Sequence, residues 1–172
     1  MAQAKRKKRF FDVEIPIINK ETQLQAYEIE ELNGRFLSYD LTRLLRGKNI
    51  LAQFKVIVKD GKAEALPIAL KVLPSFIRSM VRKGTHQVDD SFVVETKDGK
   101  VEIKPFMITR RKVARAIRTA LRNKAKEELL AYAKGRTSEQ VFDDVLKNSI
   151  QKDLSMRLKK IYPLSLCEIR IL

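Results

Sequence analysis

Two stretches of this chain, "KDGKAEALP" at 59–67 and "KDGKVEIKP" at 97–105, agree at six of nine positions. Each sets Asp-Gly, a pair suited to the positive φ of a tight turn, beside alternating apolar and polar residues. Phe54, Val56 and Val58 alternate with Gln53, Lys55, Ile57 and Lys59 ahead of Asp60-Gly61. Val101 and Ile103 alternate with Glu102 and Lys104 behind Asp98-Gly99, and "SFVVET" supplies the preceding strand. Two antiparallel hairpins are therefore predicted, each followed by a helical pattern. The recurrence reads as an internal duplication or as ordinary hairpin chemistry reached twice.

The first helical pattern is "LPSFIRSMVRKG" (73–84), with Pro74 suited to a first turn, Phe76, Ile77, Met80 and Val81 on one face, and Gly84 able to close the end. The second begins in "TRRKVARAIRTALRNKAK" (109–126), where Ala114, Ile117, Leu121, Ala125, Leu129 and Tyr132 form an apolar stripe. Thr137 and Gln140 have capping-box spacing ahead of "VFDDVL", and Ser149 precedes "IQKDLSMRLKKI", so two more helices follow. "LCEIRIL" alternates as a strand would. Nearer the amino terminus, "FFDVEIPI" and "AYEIEEL" read as strands, and "GRFLSYDLTRLLRG" as a strand running into a helical turn closed by Gly47. The expected fold class is α+β, an antiparallel β-sheet or small β-barrel core with basic helices packed against it. Residues 1–9 are expected to form a disordered basic arm and residues 10–172 a single domain.

Charge narrows the function. The net charge of +15 is unevenly spread: residues 1–9 carry +5, residues 10–103 hold 14 cations and 14 acids, residues 104–126 carry +9, and the remainder holds eight cations against seven acids. A helix needing only its own stability would interleave Glu with its cations, since like charges at i,i+4 are unfavourable. Arg111, Arg115, Arg118 and Arg122 instead form a stripe about 80° from the apolar one at 3.6 residues per turn. Concentrated arginine suits phosphate, because its planar fork engages two oxygens at once. Nucleic acid is the expected partner, with the arm cations Lys5, Arg6, Lys7, Lys8 and Arg9 as a second contact.

Other chemistries lack their residues. The single His86 sits in "RKGTHQVDD" without a positioned partner for acid–base work, and no GxxxxGK[ST] or GxGxxG loop is present. Asp89 and Asp90, with Glu95 or Asp98, are the best acid cluster for Mg²⁺, but loop acids beside a turn are commoner; no cofactor or metal is expected. The lone Cys167 has no internal disulfide partner. No apolar run reaches eighteen residues, so a cytosolic protein with no membrane partner is expected. Helix-turn-helix, zinc-finger and leucine-heptad signatures are missing, which turns the expectation from DNA toward folded RNA.

Specific strings then add a resemblance. "IRSMVRKGTHQVDDSFVVETKDGKVEIKPFMITRRK" (77–112), "GRFLSYDL" (34–41) and "SIQKDLSMRLKKIYPL" (149–164) resemble, in order and spacing, the S-three-a family of small-subunit ribosomal proteins, S-one in its eukaryotic-type naming. The match runs from about Phe10 to the end, and the chain looks like an archaeal member. The resemblance implies a barrel-like α+β fold, no enzymatic activity, and a cytoplasmic place on the platform of the small ribosomal subunit near the messenger RNA exit. It implies contacts with small-subunit ribosomal RNA near its 3′ end, with neighbouring ribosomal proteins, and with messenger RNA near the exit. By position, RNA-binding roles fall on Lys5, Arg6, Lys7, Lys8 and Arg9, on Arg82, Lys83 and His86, and on Arg110, Arg111, Lys112, Arg115, Arg118 and Arg122; Arg78, on a helix face with Arg82, joins them as a candidate from its spacing. Two departures stand out: Phe10-Phe11 occupies the place where members often carry Trp-Tyr, and the long carboxy-terminal tail of eukaryotic members has no counterpart. The alternative is an independent RNA-binding factor that visits ribosomes.

Overall fold

A computed structural model of the chain describes residues 7–45 and 47–172. It divides into two compact units, Met1–Tyr39 with Ala52–Ala69, and Asp40–Leu51 with Leu70–Leu172.

In the first unit, β1 (Arg9–Ile15) pairs antiparallel with β2 (Lys20–Ala26). A 3-10 turn at Pro16–Ile18 joins them, with Pro16 at its start, where no N–H is needed, and Asn19 in the left-handed region at φ 48. Strands β3 (Phe36–Asp40), β4 (Ile50–Lys59) and β5 (Lys62–Val72) follow. β4 pairs with both β3 and β5, and β5 pairs in parallel with β1 through Val13 to Ala63 and Glu14 to Glu64. The Asp60-Gly61 turn is as expected: φ is 50 and 76, the double positive φ of a two-residue type I′ loop. Alternate residues Val13, Ile15, Ala52, Phe54, Val56, Ala63 and Ala65 are buried, as a one-sided sheet requires.

Two expectations fail here. "AYEIEEL" is not a strand: Ile29–Leu32 forms a 3-10 turn, and the Glu31 carboxylate accepts the Tyr27 backbone N–H at 3.0 Å, a local bond that competes with a ladder. Nor do the strands close into a small barrel. Their order is β2-β1-β5-β4-β3, and no pairing joins β2 to β3 among the described residues.

The second unit contains α1 (Pro74–Met80), β6 (Gln87–Asp89), β7 (Phe92–Glu95), β8 (Lys100–Thr109), α2 (Arg115–Ala133), α3 (Ser138–Leu146), α4 (Ser149–Leu158) and β9 (Leu164–Ile171). One edge of β8 carries β7 and then β6, antiparallel, while its other edge pairs with β9. The last residues of β5 enter this unit and meet β9 at Lys71 to Ile171. Helix α2 packs on β6 and β7, and α4 on β9, α2 and α3. Ile103, Phe106, Met107 and Ile108 of β8 are buried with Leu121, Ala125, Leu129 and Ala133 of α2. Ile117 and Tyr132, expected in that stripe, are only half-buried, and Ala114 is exposed ahead of the helix.

The capping box at Thr137 and Gln140 is present in both directions. Ser149, by contrast, is the first helical residue of α4, and Asn148 in the left-handed region precedes it. Helix α1 ends before Gly84, and none of its residues is buried. Residues 42–45 form a turn, and the Gly47 N–H donates to the Thr42 carbonyl at 3.0 Å with φ of 90 at Gly47. Among the described residues no helix is long and apolar enough to cross a membrane.

Candidate nucleic-acid interface

The basic run at 109–126 is not one helix. Thr109 ends β8, residues 110–114 form a loop, and α2 starts at Arg115. Arg111 is therefore off the helix, and of the expected four-arginine stripe only Arg115, Arg118 and Arg122 lie on α2.

Three side chains or backbone groups fix that loop. Thr109 is fully buried, and its N–H donates to the His86 carbonyl at 2.9 Å. Its Oγ1 accepts the His86 N–H at 3.0 Å. A hydroxyl has one proton, and the shorter of its two acceptors is the Arg111 carbonyl at 2.7 Å, against 3.1 Å to the His86 carbonyl. The His86 ring then accepts the Val113 N–H on Nδ1 at 3.0 Å. The loop is held near both ends by one threonine and one histidine, leaving Arg110, Arg111 and Lys112 exposed between them.

The same bonds bring the 82–86 turn alongside. Gly84 at φ 85 bends it, and Thr85 closes it through Oγ1 to the Arg82 carbonyl at 2.7 Å. Arg82 and Lys83 are exposed there, and Arg78 is exposed in the last turn of α1. Arg115 is exposed at the first position of α2, whose amino end has neither a side-chain cap nor an acid in its first turn. Open N–H groups at a helix start attract anions, and cations beside them are unfavourable for the helix itself. Arg78, Arg82, Lys83, Arg110, Arg111, Lys112 and Arg115 make no ion pair among the described residues. Compensation begins only further along, where Lys124 bridges Glu127 at 3.1 Å and Glu128 at 3.4 Å. Hydrogen bonds to Glu127 first and Glu128 next raise the Lys124 pKa.

The remaining site candidates divide. Arg122 is exposed on α2, whereas Arg118 is half-buried and its Nε is sealed from solvent without a partner among the described residues. Lys7 and Lys8 are exposed ahead of β1, and Arg9 is its first residue, exposed. Lys5 and Arg6 lie outside the described residues. Sequence reasoning missed Thr109 and Val113, which position the loop yet carry no charge. A threonine closing a buried strand directly before three cations was the available signal. The acid cluster does not assemble: Asp90 accepts the Ser91 N–H at 2.9 Å and Asp98 the Ser138 N–H at 3.2 Å. Among the described residues no three His, Cys, Asp or Glu side chains are placed to hold a metal.

Residues 2–171 match the Ribosomal S3Ae family. The chain is 30% identical over 167 residues to the small ribosomal subunit protein eS1 of Nanoarchaeum equitans, covering 92% of this chain and 84% of the relative. It is 33% identical over 152 residues to the protein of the same name from Pyrobaculum aerophilum, covering 86% and 69%. A shorter match, 35% over 113 residues, to the eS1 of Methanothermobacter thermautotrophicus covers 65% and 58%.

Proposed function

The chain belongs to the Ribosomal S3Ae family, and from that premise we propose that it is a structural, non-enzymatic constituent of the small ribosomal subunit that binds ribosomal RNA through its pinned cationic loop. The observation carrying this reading is the group Arg82, Lys83, Arg110, Arg111, Lys112 and Arg115, gathered by the Thr109, His86 and Val113 bonds and left without acidic partners. A rigid, uncompensated cluster matches an irregular phosphate surface, where fixed donors lose little freedom on binding. Arg78 and Arg122, both exposed, are assigned to the same interface in this reading. The finer placement rests on the family resemblance: a cytoplasmic subunit, the platform, the 3′ end of the small-subunit RNA, neighbouring proteins, and messenger RNA near its exit. Lys5 to Arg9 form a second phosphate-binding segment in this reading.

Sedimentation of a lysate tests the assignment. Stoichiometric recovery in small subunits after a high-salt wash is the expected result. Recovery chiefly in light fractions would overturn it in favour of a factor that visits ribosomes. Salt titrations on a ribosomal RNA fragment test the loop. Replacing Arg110, Arg111 and Arg115 with Gln should flatten log affinity against log salt by roughly 0.7–0.9 for each phosphate the protein no longer neutralises. An unchanged slope would remove the loop from the interface.

A further inference from the structure

The exposed side of the β1–β2 ribbon differs from end to end. Residues directly opposite share a face, so Phe10 stands with Gln25, Asp12 with Gln23 and Glu14 with Glu21. Near the Pro16 turn this face is acidic, and Gln23 donates to Asp12 at 3.0 Å. The far end carries aromatic rings and cations, with the exposed carboxylates of Glu28, Glu30 and Glu31 in the turn after Tyr27. Phe10 is 62% exposed, Tyr27 is 41% exposed, and the Lys8 ammonium lies 5.7 Å from the Tyr27 ring centre. Arg35 donates to the Gln25 carbonyl at 2.9 Å, which brings the start of β3 to the same end. There Phe36 is 73% exposed. The opposite face of the ribbon holds Val13, Ile15 and Ala26, all buried. Apolar positions were therefore available on the inside while three rings stayed out, near Lys7, Lys8 and Arg35, which form no ion pair with another described residue.

We propose that this end of the first unit is a stacking platform for single-stranded RNA, on which Phe10, Tyr27 and Phe36 take unpaired bases while Lys7 and Lys8 hold the phosphates. Exposed rings beside cations match both parts of a single-stranded nucleic acid, a π-face on every base and a charge on every linkage. A duplex would satisfy only the cations, because its bases face one another. An apolar protein surface would satisfy only the rings. The platform residues belong to the first unit and the loop residues to the second.

The test uses the full chain with two probes, a fluorescent oligouridylate of roughly 12 nucleotides, within the site sizes of such platforms, and an RNA duplex of the same length. Phe10→Leu/Phe36→Leu keeps charge and apolarity but removes two rings, and a thermal melt confirms that both proteins fold. Stacking contributes about 1–3 kcal/mol per base. Oligouridylate affinity should therefore fall at least about tenfold with the salt slope unchanged, while duplex affinity stays the same. Arg110→Gln/Arg111→Gln/Arg115→Gln should do the reverse. The proposal is overturned if the Leu variant binds oligouridylate as wild type does, or if it loses duplex affinity to the same extent. It is equally overturned if the Leu variant retains oligouridylate but assembled subunits carrying it lose a neighbouring protein. None of these results touches the sedimentation test of ribosomal membership.

Discussion

The tetrapeptide Lys-Asp-Gly-Lys occurs once in each unit and makes two different turns. At 59–62 the two central residues take φ of 50 and 76 and the strands join through them alone. At 97–100 neither Asp98 nor Gly99 has positive φ, and the loop widens so that the Thr96 N–H donates to the Gly99 carbonyl at 2.8 Å. Its surroundings account for the change. The Lys97 N–H donates to the Arg136 carbonyl at 3.1 Å, and Asp98 accepts the Ser138 N–H at the start of α3. Arg136 is itself held, its guanidinium 3.9 Å from the Tyr132 ring centre and paired with Asp144. Where nothing else reaches the turn, local preference sets its type; where a helix corner offers partners, those bonds win.

The largest expected effect asks whether the difference is confined to the turns. Phe54 behind the first and Phe106 behind the second are each 1% exposed. Each should cost about 3–5 kcal/mol on truncation to Ala, measured by urea unfolding. A loss at one position several times that at the other would mean the strands differ as well. Next, Gly61→Ala should destabilise by about 1–2 kcal/mol, because an L side chain at φ 76 is strained even in open space. Gly99→Ala should change stability by no more than about 0.5 kcal/mol. Equal costs would show that the two loops are one turn after all.

Alkaline pH should separate the units too. Cys167 pairs with Met107 in the β8–β9 ladder behind the second hairpin, and burial first, then the Glu168 charge, pushes its thiol up from 9.0 to about 12. The folded state therefore favours the neutral thiol. Its contribution is intact below pH 9 and is lost as pH rises from 9 toward 12, at about 1.4 kcal/mol per pH unit, because only the unfolded chain releases the proton. A Cys167→Ala protein should lose stability less steeply between pH 9 and 11; matching slopes would refute the assignment. Asp98→Ala should cost about 0.5–1.5 kcal/mol, with faster amide exchange at Ser138. The same change at Asp60 should leave every helix amide as it was.

What could be read in advance was local. The hairpins, the Thr137 and Gln140 capping box and the alternation of Cys167 and Ile169 each depend on residues a few positions apart. What could not be read depends on separation. His86 and Thr109 are 23 residues apart and His86 and Val113 are 27, yet those bonds break the 109–126 run into strand, loop and helix. "AYEIEEL" alternates as a strand would, and one carboxylate bond to Tyr27 turns it instead. Identifying the cations needed only composition; sorting Arg118 from Arg115 needed packing, since the one is half-buried and the other exposed.

The place of β9 has a consequence for the nascent chain. Synthesis runs from the amino terminus, so every strand of the first unit's ladder has been made once Ala69 has been added. The second unit cannot finish until residues 164–171 have emerged, because β9 pairs with both β8 and the end of β5. Until then β8 presents an open edge bearing Phe106, Met107 and Ile108, side chains that are buried in the finished molecule. An unpaired apolar edge recruits other strands. The interval between β8 and β9 is thus the stretch of translation in which this chain is most exposed to aggregation.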